Sequence, residues 1–297
     1  STLHTGGSPM DVIYRYDPFA PLVPRQVTDT ESALARLLGG NQRFGELVGR
    51  LQERTMGRGS DEPLVIPMCP VAWGLPLFKG QVLSQTPFAA ILACSDARVP
   101  TETIFDQWFN DLFVLRLAGN VLGSECLGSL HYAIRNLADS LELVVVLGHS
   151  NCGAVQAAVS TYLSPTSFAD IAYTYSLRSL IDQILIAVRG SAHALHEEGG
   201  SRIRTDARYP ELLTAVVVYV NAAVSALELR RELSERKARQ PVVFGVYDFH
   251  TLSVKAYPGA VGSATDLSKF LGPAPANPDE LSAYARDVAR AVLRMNE

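Results

Sequence analysis

Two cysteines and a histidine are spaced as metal ligands are. His149 and Cys152 share one turn in Gly148-His-Ser-Asn-Cys-Gly153, and Cys94 ends a separate apolar run that begins at Phe88. Two thiolates and an imidazole suit zinc. Three ligands leave one corner of a tetrahedron open, as catalytic sites do and closed structural sites do not. Zinc held this way lowers the pKa of a water in the open position to about 7. The same residues also read as two small buried hydrophobes and a hydrogen-bonded loop imidazole, and the H-x-x-C spacing alone does not choose between the two. Asp96 and Arg98 follow Cys94 directly. They pair an acceptor-only carboxylate with a planar guanidinium fork, or form a plain surface ion pair.

These side chains need elements to carry them. Phe88–Cys94, Asp111–Arg116, Leu143–Leu147 and Val242–Tyr247 are short apolar runs that read as strands. Gly123–Leu137, a segment starting at Ala154, 170–198 and 210–237 read as helices between and after them. Uniformly apolar strands alternating with helices predict an α/β fold, a largely parallel central sheet covered on both faces. Ligands in such sheets sit at the carboxyl ends of strands, where Cys94 and His149 fall. Upstream, Thr28 or Asp29 is placed to cap a helix through residues 32–38. Gly39-Gly40 is expected to interrupt it before a second helix over 41–54. Residues 55–80 hold too many Gly and Pro for a long regular element. Their Val65, Ile66, Val71, Trp73, Leu75 and Phe78 nevertheless predict a loop that packs on something. The division expected is an extended N-terminal arm at 1–30, a catalytic domain at 31–257 carrying the insertion 55–80, and a C-terminal extension at 258–297 with a helix from Pro278 to Met295.

Bulk properties narrow the partners. The net charge is −4 with no basic run, which argues against nucleic acid. Four cysteines in 297 residues make no disulfide framework and suit a reducing compartment. The longest apolar runs, near 143–147 and 215–220, have strand or buried-helix length, so no membrane span is expected. No signal peptide is visible, and a cytoplasmic location, or an internal compartment reached without one, is expected. Gly148-x-x-x-x-Gly153 lacks the Lys-Ser/Thr of a phosphate-binding loop. Cys69 and Cys126 read as packed thiols. His131, His193, His196 and His250 could relay protons and read more simply as surface or packing residues.

Cys94-Ser-Asp-Ala-Arg98 with Gly148-His-Ser-Asn-Cys-Gly153 resembles the paired signature of the β-class carbonic anhydrases. Leu37-Leu-Gly-Gly-Asn41-Gln-Arg-Phe44, Gln85-x-Pro87, Val99-Pro100, Phe105-Asp106-Gln107, Asp111-Leu-Phe113-Val-x-Arg116, Ser129-Leu-x-Tyr132-Ala and Gly245-Val-Tyr247-Asp248 resemble further family motifs in the family's order. The resemblance implies one zinc per chain on Cys94, His149 and Cys152, and reversible hydration of carbon dioxide to bicarbonate by zinc-bound hydroxide. It implies that Arg98 holds Asp96 so that the carboxylate accepts a hydrogen bond from that hydroxide. It places Gln85 as a donor to the substrate oxygen, with Phe113 and Tyr132 as an apolar wall beside it. It also implies a homodimer or a higher even-numbered homo-oligomer in which N-terminal helices wrap the partner and these three residues come partly from the neighbouring subunit. The family's serine between Asp96 and Arg98 is Ala97 here, and its asparagine after Arg116 is Leu117. Its Gly-rich turn before Asp111 is Trp108-Phe109-Asn110. Two other readings keep the metal: a carbon disulfide or carbonyl sulfide hydrolase on the same fold, and a non-catalytic zinc-stabilised scaffold. An intact Asp96–Arg98 pair is superfluous to the scaffold.

Overall fold

The computed structural model describes residues 11–16, 27–58, 62–68, 79–80, 82 and 84–296. Cys69, the expected packing of Val71, Trp73, Leu75 and Phe78, and most of the arm lie outside them.

Four fully or largely apolar strands run parallel: β3 (Ala89–Ala93), β4 (Leu112–Arg116), β5 (Leu143–His149) and β6 (Val242–Asp248). Their order is β4-β3-β5-β6. Two short antiparallel strands, β7 (Ser253–Lys255) and β8 (Gly272–Pro273), pair with β6. After β4 the chain crosses back over β3 to lay down β5, so the direction of winding reverses between β3 and β5. That switch opens a crevice at the carboxyl ends of those two strands. Ala93 pairs with Leu147, which sets Cys94 level with Gly148, one residue before His149.

Alternation along each strand feeds two cores. Ala90, Leu92, Cys94, Val144 and Val146 face one; Ala89, Ile91, Ala93, Leu143, Val145 and Leu147 face the other. The first is closed by α3 (Ser124–Asn136), α4 (Gly153–Leu163), α6 (Tyr175–Gly199), α7 (Tyr209–Glu235) and α8 (Pro278–Met295). The second is closed by α1 (Thr30–Thr55), the single turn α2 (Thr101–Ile104), and Phe270 and Leu271. One-turn α5 (Phe168–Ile171) precedes α6, which starts later than the sequence suggests, at Tyr175.

Three findings bear on the sequence expectations. Gly39-Gly40 does not break the first helix. With Asp29 capping, α1 runs unbroken to Thr55. Gly40 is there for approach: a Cβ on it would lie 1.7 Å from the Phe105 carbonyl oxygen. The next residue, Asn41, is buried and ties α1 to the sheet, donating to the Ile104 and Leu252 carbonyls at 3.1 Å and accepting from Val254 N–H at 2.9 Å. Second, α7 is long and apolar enough to cross a membrane by length and composition, with a mean hydropathy of 1.9 over its most apolar stretch. The stretch is 83% buried between α6, α8 and the strands, as a core helix is. Third, residues 55–80 and the arm are not separate irregular pieces throughout. β1 (Val12–Tyr16) and β2 (Leu64–Met68) pair in parallel as a two-stranded ribbon, Ile13 with Val65. The C-terminal stretch does not stand apart either. Tyr284, Val288, Ala289 and Val292 of α8 sit in the first core, and the Tyr284 hydroxyl donates to the Ala256 carbonyl at 2.6 Å.

Candidate metal centre

The crevice between β3 and β5 gathers Cys94, His149 and Cys152, all buried, with their ligand atoms within 4.8 Å of one another. Cys94 enters from the end of β3. His149 is the last residue of β5, and Cys152 caps α4. Asn151, between them, adopts φ 53°, the left-handed conformation that short polar side chains tolerate. That tight turn returns the Cys152 sulfur to 4.0 Å from the Cys94 sulfur.

The donor set fits a zinc ion. His149 Nδ1 lies 2.9 Å from the Ser150 carbonyl oxygen, an acceptor only, so Nδ1 carries the proton and donates. Nε2 is left with its lone pair facing the sulfurs, buried and without a hydrogen-bond partner. An orphan acceptor in the interior is costly unless something else fills it, and a cation does. The sulfurs make the same demand. The neighbouring Cys152 thiol, aided by His149 and the Gly119 N–H, draws the Cys94 thiol down to ionise readily, against burial. The resulting charge, together with burial, pushes Cys152 far up. Both thiols ionise together only with a positive charge between them. Tetrahedral bonds of about 2.0–2.3 Å imply ligand separations of about 3.3–3.8 Å, close to the 4.0 Å found between the sulfurs.

Asp96 and Arg98 meet at the rim. Arg98 Nε and an Nη donate to the two oxygens of Asp96 at 2.9 and 2.7 Å, and the Arg98 backbone N–H adds a bond of 2.9 Å. The Arg98 guanidinium holds the Asp96 carboxyl far below the ordinary carboxylate range, outweighing desolvation. Asp96 Oδ2 stands 4.0 Å from His149 Nε2, beside the crevice and not on it.

Several supports were not singled out in the sequence. Phe249 stacks beneath Arg98, with the guanidinium 4.4 Å from the ring centre, and packs 5.2 Å from the His149 ring. Its N–H donates to Ser150 Oγ at 2.9 Å. Arg116 reaches back from β4 to the Cys94 carbonyl at 3.0 Å and to the Asp96 carbonyl, pinning the backbone that bears both side chains. Gly119, at φ 66°, aims its N–H at Cys94 Sγ over 3.3 Å. A Cβ there would come within 2.7 Å of Ile184. The Gly119 carbonyl accepts from Asn221 of α7 at 2.7 Å. The available signal for Asn221 was its place as the lone amide in the apolar run Val216–Val224, since a buried amide there must find a partner. Arg116 was visible as a motif residue without a role. Phe249 had no signal beyond following the last strand motif.

Gln85, Phe113 and Tyr132 are not part of this cluster within one chain. Gln85 is exposed and precedes β3, at the strand end opposite Cys94. Phe113 pairs with Ala90 and packs half-buried on the first core, four residues before Leu117, about 13 Å at strand rise. Tyr132 is 53% exposed on α3. Cys126 is a buried thiol. His131 lies 3.0 Å from Glu232 as a partly buried pair, and His193 3.3 Å from Glu197 as a surface pair.

The carbonic anhydrase family model matches residues 89–254, more than half of the chain, and both ligand segments lie inside the match. This chain belongs to the β-class carbonic anhydrase family. Its segment is 49% identical over 81 residues to carbonic anhydrase 2 of Mycobacterium tuberculosis, covering 27% of this chain and 38% of that protein. It is 40% identical over 90 residues to carbonic anhydrase of Pseudomonas aeruginosa, covering 28% and 40%. The chain thus covers well under half the length of these relatives. Among solved structures, a Coccomyxa β-carbonic anhydrase in complex with acetazolamide is similar at 25% identity and a TM-score of 0.41, covering 58% of this chain and 72% of that one. Tetrameric β-carbonic anhydrases from Sordaria macrospora are similar at 20% identity and a TM-score of 0.42, covering 58% and 81%.

Proposed function

We propose that the protein is a zinc enzyme that reversibly hydrates carbon dioxide to bicarbonate. The observation that carries this reading is the buried Cys94–His149–Cys152 set, with its orphan His149 Nε2, beside an Asp96 carboxylate locked ionised by Arg98. These three residues would hold the ion, which when bound supplies a water acidic near neutrality and so a nucleophile at physiological pH.

The chain's own residues then have separate tasks. Asp96, ionised and acceptor-only, takes a hydrogen bond from a hydroxyl in the crevice and so turns its lone pair away from the carboxylate, toward an incoming substrate. Arg98 fixes both carboxylate oxygens, and Phe249 under its plane fixes the arginine. The Gly119 N–H and the Arg116 clamp keep the Cys94 segment in place, so little reorganises during turnover. A second copy of the chain completes the substrate side, supplying Gln85 as a donor to the substrate oxygen and Phe113 and Tyr132 as an apolar wall. Gln85 and Phe113 lie toward the strand end away from Cys94, and Gln85 and Tyr132 are exposed, which supports this arrangement over a site closed within one chain.

The test is metal analysis with stopped-flow carbon dioxide hydration on purified full chain. One zinc per chain and rapid turnover are expected, both lost in His149→Ala. A zinc-loaded protein inert to carbon dioxide, or one that turns over carbonyl sulfide instead, would overturn the reading.

A further inference from the structure

On the far side of the metal loop, a cavity of about 520 Å³ opens between α4, α7 and the end of α8. Such a volume falls in the range of small-molecule sites. Its walls are apolar: Val159 and Leu163 from α4, Val218 from α7, Val292 and Met295 from α8. One end is polar and deep. There Tyr219, only 8% exposed as a residue, makes no hydrogen bond from its hydroxyl to another described residue, and that hydroxyl stays open to solvent on the cavity side. A phenol with an apolar body in the core and its hydroxyl open on a cavity offers a donor to a bound molecule. Burial pushes its pKa up, with the Asp248 charge adding to the shift, so it stays a donor.

Beside Tyr219 sits an ion pair, Lys255 Nζ on Asp248 Oδ2 at 2.8 Å. Asp248 also accepts from the His250 N–H at 2.9 Å and from Thr251 Oγ1 at 3.0 Å. Burial pushes the Asp248 carboxyl up, but the Lys255 and His250 bonds bring it below the ordinary range, so Asp248 meets Lys255 as a carboxylate in an ion pair. A carboxylate placed here would face Asp248; an ammonium would face Lys255. An uncharged head with an acceptor oxygen for Tyr219 or Lys255, and an N–H or O–H for Asp248, meets neither repulsion.

We propose that this cavity is a second, non-catalytic site for an uncharged molecule with an apolar body and a head that both accepts and donates hydrogen bonds, the carboxamide being the simplest such group. It does not depend on the carbon dioxide reading. It does share a wall with the metal loop, because Ser150 and Asn151 line the cavity and sit between His149 and Cys152.

The experiment titrates octanamide into the zinc-loaded full chain by calorimetry, beside octanoate and octylammonium. Saturable binding with one site per chain is expected, tighter than for either charged analogue. Tyr219→Phe keeps the ring and removes the oxygen, and should weaken octanamide about 3- to 10-fold, the loss of one net hydrogen bond. Thr214→Trp and, separately, Leu163→Trp fill the cavity from its partly exposed rim and should abolish binding while the thermal midpoint stays near that of the parent. No saturable binding up to the solubility limit would overturn the site, as would affinity unchanged in both tryptophan variants when they fold. Octanoate or octylammonium binding more tightly than the amide, or Tyr219→Phe without effect, would overturn the assignment of the head group.

Discussion

The two ends of the parallel sheet are built differently. At the carboxyl end every group that meets the crevice is itself held. His149 is fixed through Nδ1, Asp96 by three bonds from Arg98, Cys94 by the Gly119 N–H, and the backbone of residues 94–96 by Arg116. At the amino end, Gln85 is exposed, and no hydrogen bond of its side chain occurs among the described residues. One end is finished within a single chain. The other leaves its side chains exposed in a single chain. Charge handling needs preorganised dipoles, and those must be folded in; an apolar wall can be supplied by association.

The largest effect expected at the finished end is from Asp96→Asn. Its amide can donate where only an acceptor serves. Carbon dioxide hydration should fall on the order of 10²-fold or more with zinc content unchanged. Arg98→Ala should cost less than additively when combined with it, since the two act as a unit. Retained activity in Asp96→Asn would erase the contrast between the ends.

Mixing tests the unfinished end. Gln85→Leu should lower turnover by less than Asp96→Asn while keeping metal. Co-refolded Asp96→Asn and Gln85→Leu chains should then be more active than either parent, because a mixed dimer regains one intact site. Activity that merely averages the parents would mean that Gln85 serves its own chain or none.

A smaller effect is expected from Asn221→Leu. It leaves the buried Gly119 carbonyl without a partner, a cost of about 1–3 kcal/mol. It also loosens the N–H aimed at Cys94, so zinc transfer to a chelator should quicken about 10-fold. Unchanged transfer with lowered stability would reduce Asn221 to packing.

The smallest effect is in the pH dependence of stability. The folded-state pKa of Asp96 is depressed, chiefly by the Arg98 hydrogen bonds. The stability it contributes is therefore fully present above the unfolded value of about 3.9 and is lost as pH falls below it toward the depressed folded value. The difference in urea midpoint between the parent and Asp96→Asn should stay flat from about pH 8 to 5 and narrow below about pH 4. A difference that widened with acid would contradict the ion pair.

The strands and the ligand residues were legible because each carries a local signal: unbroken apolar runs for β3, β5 and β6, and short-range spacing for His149 and Cys152. What escaped depends on distant partners. Gly39-Gly40 looks like a helix stop until Phe105 is seen against Gly40. The Gly- and Pro-rich stretch at 55–80 conceals a strand that needs residues 12–16, some fifty positions earlier, as its partner. Phe249 and Gly119 act through contacts that no spacing reports. The pairing of Asp96 with Arg98 was the exception, because a separation of two residues suffices for the fork to close.

The position of α8 bears on biosynthesis. Every strand of the main sheet precedes it in the chain, yet Val288, Ala289 and Val292 fill the first core and Tyr284 ties back to Ala256. As the chain emerges in order, the sheet and α7 can assemble while the flank that α8 covers still faces water. The nascent protein therefore carries an apolar groove for the time it takes to translate residues 274–295. That interval is a window for chaperone capture, and it closes only when the last helix docks.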